Sequence, residues 1–146
     1  MPKITEDLKL TGHLTVEING EVVQEIPNLV VTDGKEFVIS RMKDTTFPAM
    51  NHMAIGTSAT GTSPGQGALL GEVARVDLDS TTVDGTSITY VANFPAGTPN
   101  ELKGLNEAGI FNSGAGGRML CRTKFAGVVN KDTTDSMAIS WKITCS

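Results

Sequence analysis

At 146 residues the chain is long enough for one domain with a real core, and 12 Lys and Arg against 16 Asp and Glu leave a net charge of -4. That balance excludes a general nucleic-acid binder, which needs clustered cations to meet phosphates, and no run approaches the roughly 20 apolar residues that span a bilayer. A charged fraction of only 19% with 16 glycines points to strands joined by polar turns.

Met1-Pro2-Lys3-Ile4 leads into charged residues rather than an apolar run, so no signal peptide is read and synthesis in a cytoplasm is expected. Residues 1–9 lack periodicity; they read as a frayed terminus or as an arm that orders on a partner. The segment 10–18 alternates through Leu14, Val16 and Ile18, and Asn19-Gly20 then separates it from a second β-like run at 21–26. Asn-Gly between two such runs predicts a hairpin, because both central positions of its turn take positive φ. Pro27-Asn28 is expected to end that hairpin, with a short extended piece at 29–31.

Thr32 or Asp33 is placed to cap a helix, with Glu36 where a capping partner sits, so a short helix is predicted over 33–42. A strand is expected at 51–56, then a mobile surface loop at 57–67 made almost wholly of Thr, Ser, Gly, Ala, Pro and Gln. Residues 68–73 read as a single helical turn re-entering the core, and Asp84-Gly85 as a turn. The run 86–94 places Ile88, Tyr90, Ala92 and Phe94 on one face. Strands follow at 107–112 and 119–125 around a flexible glycine-rich turn at 113–117. The last run sends Met137, Ile139, Trp141 and Ile143 to one face, and the core is expected to form against Trp141, the only tryptophan. This gives a mainly β chain of about eight strands and one short helix. A two-sheet antiparallel β-sandwich is expected, jelly-roll-like, with a single domain over 10–146.

No constellation for chemistry stands out. His13 and His52 come without metal-site spacing, and neither Cys121 nor Cys145 is in a Cys-x-x-Cys pair. If 119–125 pairs with 137–145 so that Phe125 opposes Met137, Cys121 faces Trp141 and no bridge to Cys145 forms; free thiols are expected. Asp77, Asp79 and Asp84 lack calcium-loop spacing and read as solvated turn carboxylates. Arg122 and Lys124 alternate with apolar neighbours and read as a solvated strand face. Glu107 has no second acid or base beside it, which favours a structural role accepting hydrogen bonds from a neighbouring loop. No catalytic residue, cofactor or metal is assigned, and a small-molecule ligand is not expected.

Four blocks taken together carry a family resemblance: Asn28-Leu29-Val30-Val31-Thr32-Asp33-Gly34, Met53-Ala54-Ile55-Gly56-Thr57 with the later Ala68-Leu69-Leu70-Gly71-Glu72-Val73-Ala74-Arg75, Leu105-Asn106-Glu107-Ala108-Gly109-Ile110-Phe111-Asn112, and the two strands with Arg122 and Trp141. In this order they resemble a widespread group of small virion structural proteins of tailed bacteriophages, over residues 28–145. The resemblance implies a non-enzymatic virion protein made in the host bacterial cytoplasm. A capsid decoration (cement) protein on the outside of the head is favoured, since the chain is short and has no fibrous repeats. The alternative is a tail-fibre, collar or baseplate component that binds host glycan. The partners expected are the major capsid protein or other virion proteins and copies of itself, with no membrane and no direct nucleic-acid contact. The candidate contact residues are Pro2, Lys3, Ile4 and Thr5 in the arm, Thr60, Ser63, Pro64 and Gln66 in the 57–67 loop, and Pro99 and Asn100 in the 95–103 loop. An unrelated small enzyme would instead require titratable groups such as His13, His52 and Glu107 to converge.

Overall fold

A computed structural model describes residues 8–146. The fold is mainly β: nine strands and one helix among the described residues. The strands are β1 (Leu10–Ile18), β2 (Glu21–Val30), β3 (His52–Gly56), β4 (Glu72–Asp77), β5 (Ser80–Asp84), β6 (Ser87–Phe94), β7 (Lys103–Phe111), β8 (Met119–Lys131) and β9 (Met137–Cys145). The helix, α1, spans Thr32–Ser40. All nine strands join one antiparallel sheet in the order β4-β3-β7-β8-β2-β1-β9-β6-β5.

The sheet is curled into a half-barrel, and two features show how. The first is β2, which pairs with β1 as far as Asn28 and with β8 only at Leu29 and Val30. Beyond those two pairs β2 and β8 splay, and the Gln24 amide bridges them: Nε2 donates to Gly127 O at 2.8 Å, and Oε1 accepts from Ala126 N at 3.0 Å. The second is the step from β4 to β5. These are the two edges of the sheet, yet only Leu78 and Asp79 connect them. Leu78 N donates to Asn51 O beside β3, and Asp79 N donates to Val91 O in β6. At that corner the two edges meet.

The concave face holds the main core. Trp141, Leu14, Val16, Ile139, Phe94 and Phe125 are all at or near zero exposure, and the side chains of β9 alternate inward and outward as the period of two requires. Asn19 and Gly20 carry positive φ of 52 and 82°, the geometry expected of the β1–β2 hairpin. Helix α1 leans on β8 so closely that Gly34 has no room for a side chain: a Cβ there would run into the Leu120 carbonyl.

Several sequence expectations are corrected. Pro27 and Asn28 do not end a strand; β2 runs through them, opposite His13 and Gly12. Residues 68–73 form no helical turn, because Glu72 already opens β4. Residues 80–84 are a strand in their own right, which makes nine rather than about eight. Helix α1 ends at Ser40, and its N-cap is Val31 with no side-chain cap bond from Thr32 or Asp33. The strands β8 and β9 are not neighbours. Trp141 faces Leu14 and Tyr90, and Cys121 faces Ile110. Both cysteines are nevertheless free.

Candidate functional site

The convex side of β3, β7 and β8 is not open to water. Residues 57–71 fold back over it and place Leu69 in a second apolar cluster with Val31, Ala54, Phe111 and Met119. What holds this loop down is Glu107. Its carboxylate is fully buried and accepts from four directed donors: Ser58 N at 3.1 Å and Gly71 N at 2.7 Å on Oε2, Leu70 N at 3.0 Å and Arg122 Nε at 3.1 Å on Oε1. Arg122 Nη2 lies 3.0 Å from Oε1 but off hydrogen-bonding angle, so that contact is Coulombic and the directed bond is the one from Nε. Both partners have zero side-chain exposure. An unpaired charge here would be strongly unfavourable, and the pair persists because every carboxylate oxygen is satisfied. Gly56 makes room for it: a Cβ at that position would meet the Glu107 carboxylate and stand 2.7 Å from Gly71 O.

Arg122 is thus not part of a solvated strand face, although Lys124 two residues on is exposed as expected. Its Nη1 reaches Gln66 Oε1 at 3.3 Å, and Gln66 in turn braces the loop internally, accepting from Ser63 N at 3.0 Å and donating to Gly61 O at 3.1 Å. Pro64 O accepts from Thr32 N at 2.9 Å, so the loop also touches the start of α1. The 57–67 segment is therefore anchored at several points rather than loose. It presents Thr60, Ser63 and Pro64 to solvent, with Gln66 half-buried beneath them. Gly61 and Thr62 rim a cleft of about 510 Å³ shared with Ile26, Pro27, Leu29 and Lys124.

Two further cations fix loops through backbone carbonyls. Arg75 stacks 3.8 Å over the Phe111 ring, pairs with both oxygens of Glu72, and donates from Nη1 to Ser113 O and Gly116 O at 2.9 Å each. Lys131, also buried, donates to Pro95 O at 3.0 Å, and burial pushes its ammonium below the usual lysine range. In the loop that Lys131 holds, Asn100 is exposed and Pro99 is buried. Pro2, Lys3, Ile4 and Thr5 lie outside the described residues.

The titratable groups do not converge. His52 sits 2.7 Å from Asp77 at one end of β3, while Gly56 at the other end faces Glu107, about 13 Å away at the usual strand rise. His13 is exposed on β1, and Asp77, Asp79 and Asp84 are exposed. Among the described residues no three metal-ligating side chains cluster. Burial pushes the Cys121 thiol well above its ordinary range, away from the reactive thiolate. The arrangement can hold a shaped loop rigidly over a sheet. The carboxylate at its centre has no oxygen to spare for a substrate.

The Glu107–loop bond was legible in the sequence as a type of role. The Arg122 partner was not; the one available signal was an arginine in the strand that follows a lone glutamate. Comparison of the chain with protein-family models, with curated proteins and with solved structures finds no match.

Proposed function

We propose that this protein is a non-enzymatic virion structural protein, a capsid decoration protein that binds the outside of a phage head and stabilises it. The observation that carries this reading is where the resembling blocks meet. Gly56, Leu70 and Gly71 from the second block, Glu107 from the third and Arg122 from the fourth assemble around one carboxylate, and Arg75 stacks on Phe111 beside them. The residues that carry the family pattern are thereby the parts that fasten one loop to a stiff sheet. A stiff loop suits a protein that works by repeated contact, since little ordering entropy is lost on binding.

The working surface in this reading is the exposed loop tip with Thr60, Ser63 and Pro64, together with Asn100 and the arm residues Pro2, Lys3, Ile4 and Thr5. The partners are the major capsid protein and neighbouring copies. The curled sheet is read as a jelly-roll-like sandwich whose two layers share β2 at the corner where it changes partner. An interface of about 800 Å² per partner, repeated over a shell, resists internal pressure by summing modest contacts. The test is to count copies per particle and image their position. Hundreds of copies on the shell agree with the proposal. A few copies at the tail would overturn it in favour of the fibre or baseplate role, and glycan binding by the isolated domain would then be the next measurement.

A further inference from the structure

The two edges of the sheet are unlike each other. Strand β4 carries Glu72, Arg75 and Asp77 within six residues, and its pairing with β3 is broken by a register shift at Gly56. Charge and a bulge are the usual devices that stop an edge from pairing with another chain. Strand β5 lacks the bulge and most of the charge. It reads Ser80-Thr81-Thr82-Val83-Asp84, pairs in unbroken register with β6, has no proline and no lysine, and carries one charge at its end. All five residues are exposed, Val83 to 70%.

The backbone geometry says which groups are free. β5 and β6 are joined by the two residues Gly85 and Thr86, with Gly85 at φ 59°, and such a hairpin closes on a hydrogen-bonded pair, here Asp84 with Ser87. Alternation then pairs Thr82 and Ser80 with β6 and turns the N–H and C=O of Thr81 and Val83 outward. These four groups are self-complementary about Thr82. Two antiparallel copies centred there oppose Thr81 to Val83 twice, as hydrogen-bonded pairs, with Thr82 against Thr82 between them. Ser80 falls opposite Asp84, so no like charges meet, and β-branched residues oppose one another, a favourable cross-strand pairing.

We propose that β5 is a self-association edge at which a second copy of this chain adds its own β5 across a two-fold axis, joining the two sheets into one. Val83 also lines an apolar cleft of about 300 Å³ with Phe37, Val38, Ile88, Tyr90 and Ile143. Thr81 shares the Val83 face by the period of two, so the partner's strand extends that wall. Two five-residue strands bury far less than the roughly 800 Å² per side of a stable dimer, so the contact is weak when free and effective when copies are held close. The inference rests on the edge itself and stands whether or not the protein belongs to a virion.

The test is disulfide trapping. Directly opposed residues of a non-hydrogen-bonded pair lie about 4.5 Å apart at Cα, within reach of a disulfide. In a Cys145→Ser background, Thr82→Cys with oxidised glutathione as oxidant is expected to give covalent dimer at least about tenfold faster than Thr134→Cys, an exposed turn control outside both proposed surfaces. Sedimentation equilibrium near 1 mM should show reversible dimer for the parent protein. Thr81→Pro removes an outward N–H and leaves the β6 ladder intact, so it should abolish both signals. Val83→Lys should do the same without touching the backbone. A parent that stays monomeric at that concentration, or equal trapping rates at positions 82 and 134, overturns the proposal. So does dimer that survives both edge variants.

Discussion

Replacing Glu107 with Gln changes one atom and should cost about 3–5 kcal/mol. The oxygen Oε2 receives Ser58 N and Gly71 N, and Oε1 receives Leu70 N and Arg122 Nε. A glutamine must put its NH₂ in one of those places. Either orientation aims a donor at two donors and loses two hydrogen bonds to a charged acceptor, each worth about 1.5–3 kcal/mol. It also leaves the fully buried Arg122 guanidinium without its counter-charge. The two routes to the magnitude agree. Trp141 is the only tryptophan and is fully buried, so its fluorescence should report unfolding in urea. At a slope of about 2 kcal/mol per M, the midpoint should fall by about 1.5–2.5 M. Hydrogen exchange adds the location: the amides of Ser58, Leu70 and Gly71 should lose protection first, before the β9 core. The pair Glu107→Leu with Arg122→Met should be less damaging than the two single changes added together, because it removes the stranded charge. A Glu107→Gln variant that loses less than about 1 kcal/mol, with those three amides still protected, would refute the clamp.

Two further outcomes follow from particular contacts. Gly34→Ala in the first turn of α1 gains at most roughly 1 kcal/mol of helix propensity, but the new Cβ collides with the Leu120 carbonyl, where overpacking costs about 1–3 kcal/mol. Net destabilisation by thermal melting is expected, and a raised melting temperature would show that α1 moves off β8 freely. Burial raises the Tyr90 phenol from 10.0 to about 12. A raised folded-state value keeps its contribution whole below pH 10 and loses it as pH climbs through 12, up to about 2–3 kcal/mol. Urea midpoints at several alkaline pH values should therefore fall more steeply for the parent than for Tyr90→Phe, and parallel curves would count against the assignment.

The strands were legible wherever one face meets oil and the other water. Met137, Ile139, Trp141 and Ile143 declare themselves by period alone, and Asn19-Gly20 by the φ values it tolerates. Neighbour relations were not legible, because a period of two says which way a side chain points and nothing about which strand lies beside it. Hence β8 was set against β9, when it lies between β7 and β2. Arg122 shows the same limit at the site. Its face was read correctly as the one away from the core. That face is covered by residues 57–71, a polar stretch with no pattern to announce that it folds back. Glu107 was easier, because a carboxylate beside Ala108-Gly109 with no second acid or base near it in sequence demands donors, and a neighbouring loop supplies them.

The Glu107 carboxylate grips Ser58 on one side of the 57–71 loop and Leu70 with Gly71 on the other, so the loop is cinched at its neck like a drawstring bag. The tip around Thr60 and Gly61 lies outside the further anchors at Pro64, Gln66 and Leu69, so a change there leaves those contacts to the sheet and helix in place. Once the neck is held, doubling the length of the bag costs only about 0.6 kcal/mol in closure entropy. The exposed Thr60-Gly61 bond, just upstream of the Gly61 carbonyl that Gln66 braces, is therefore the natural splice point for foreign peptide. An epitope or affinity tag placed there would be displayed on a rigid stalk, with the fold beneath it left to close its own seam.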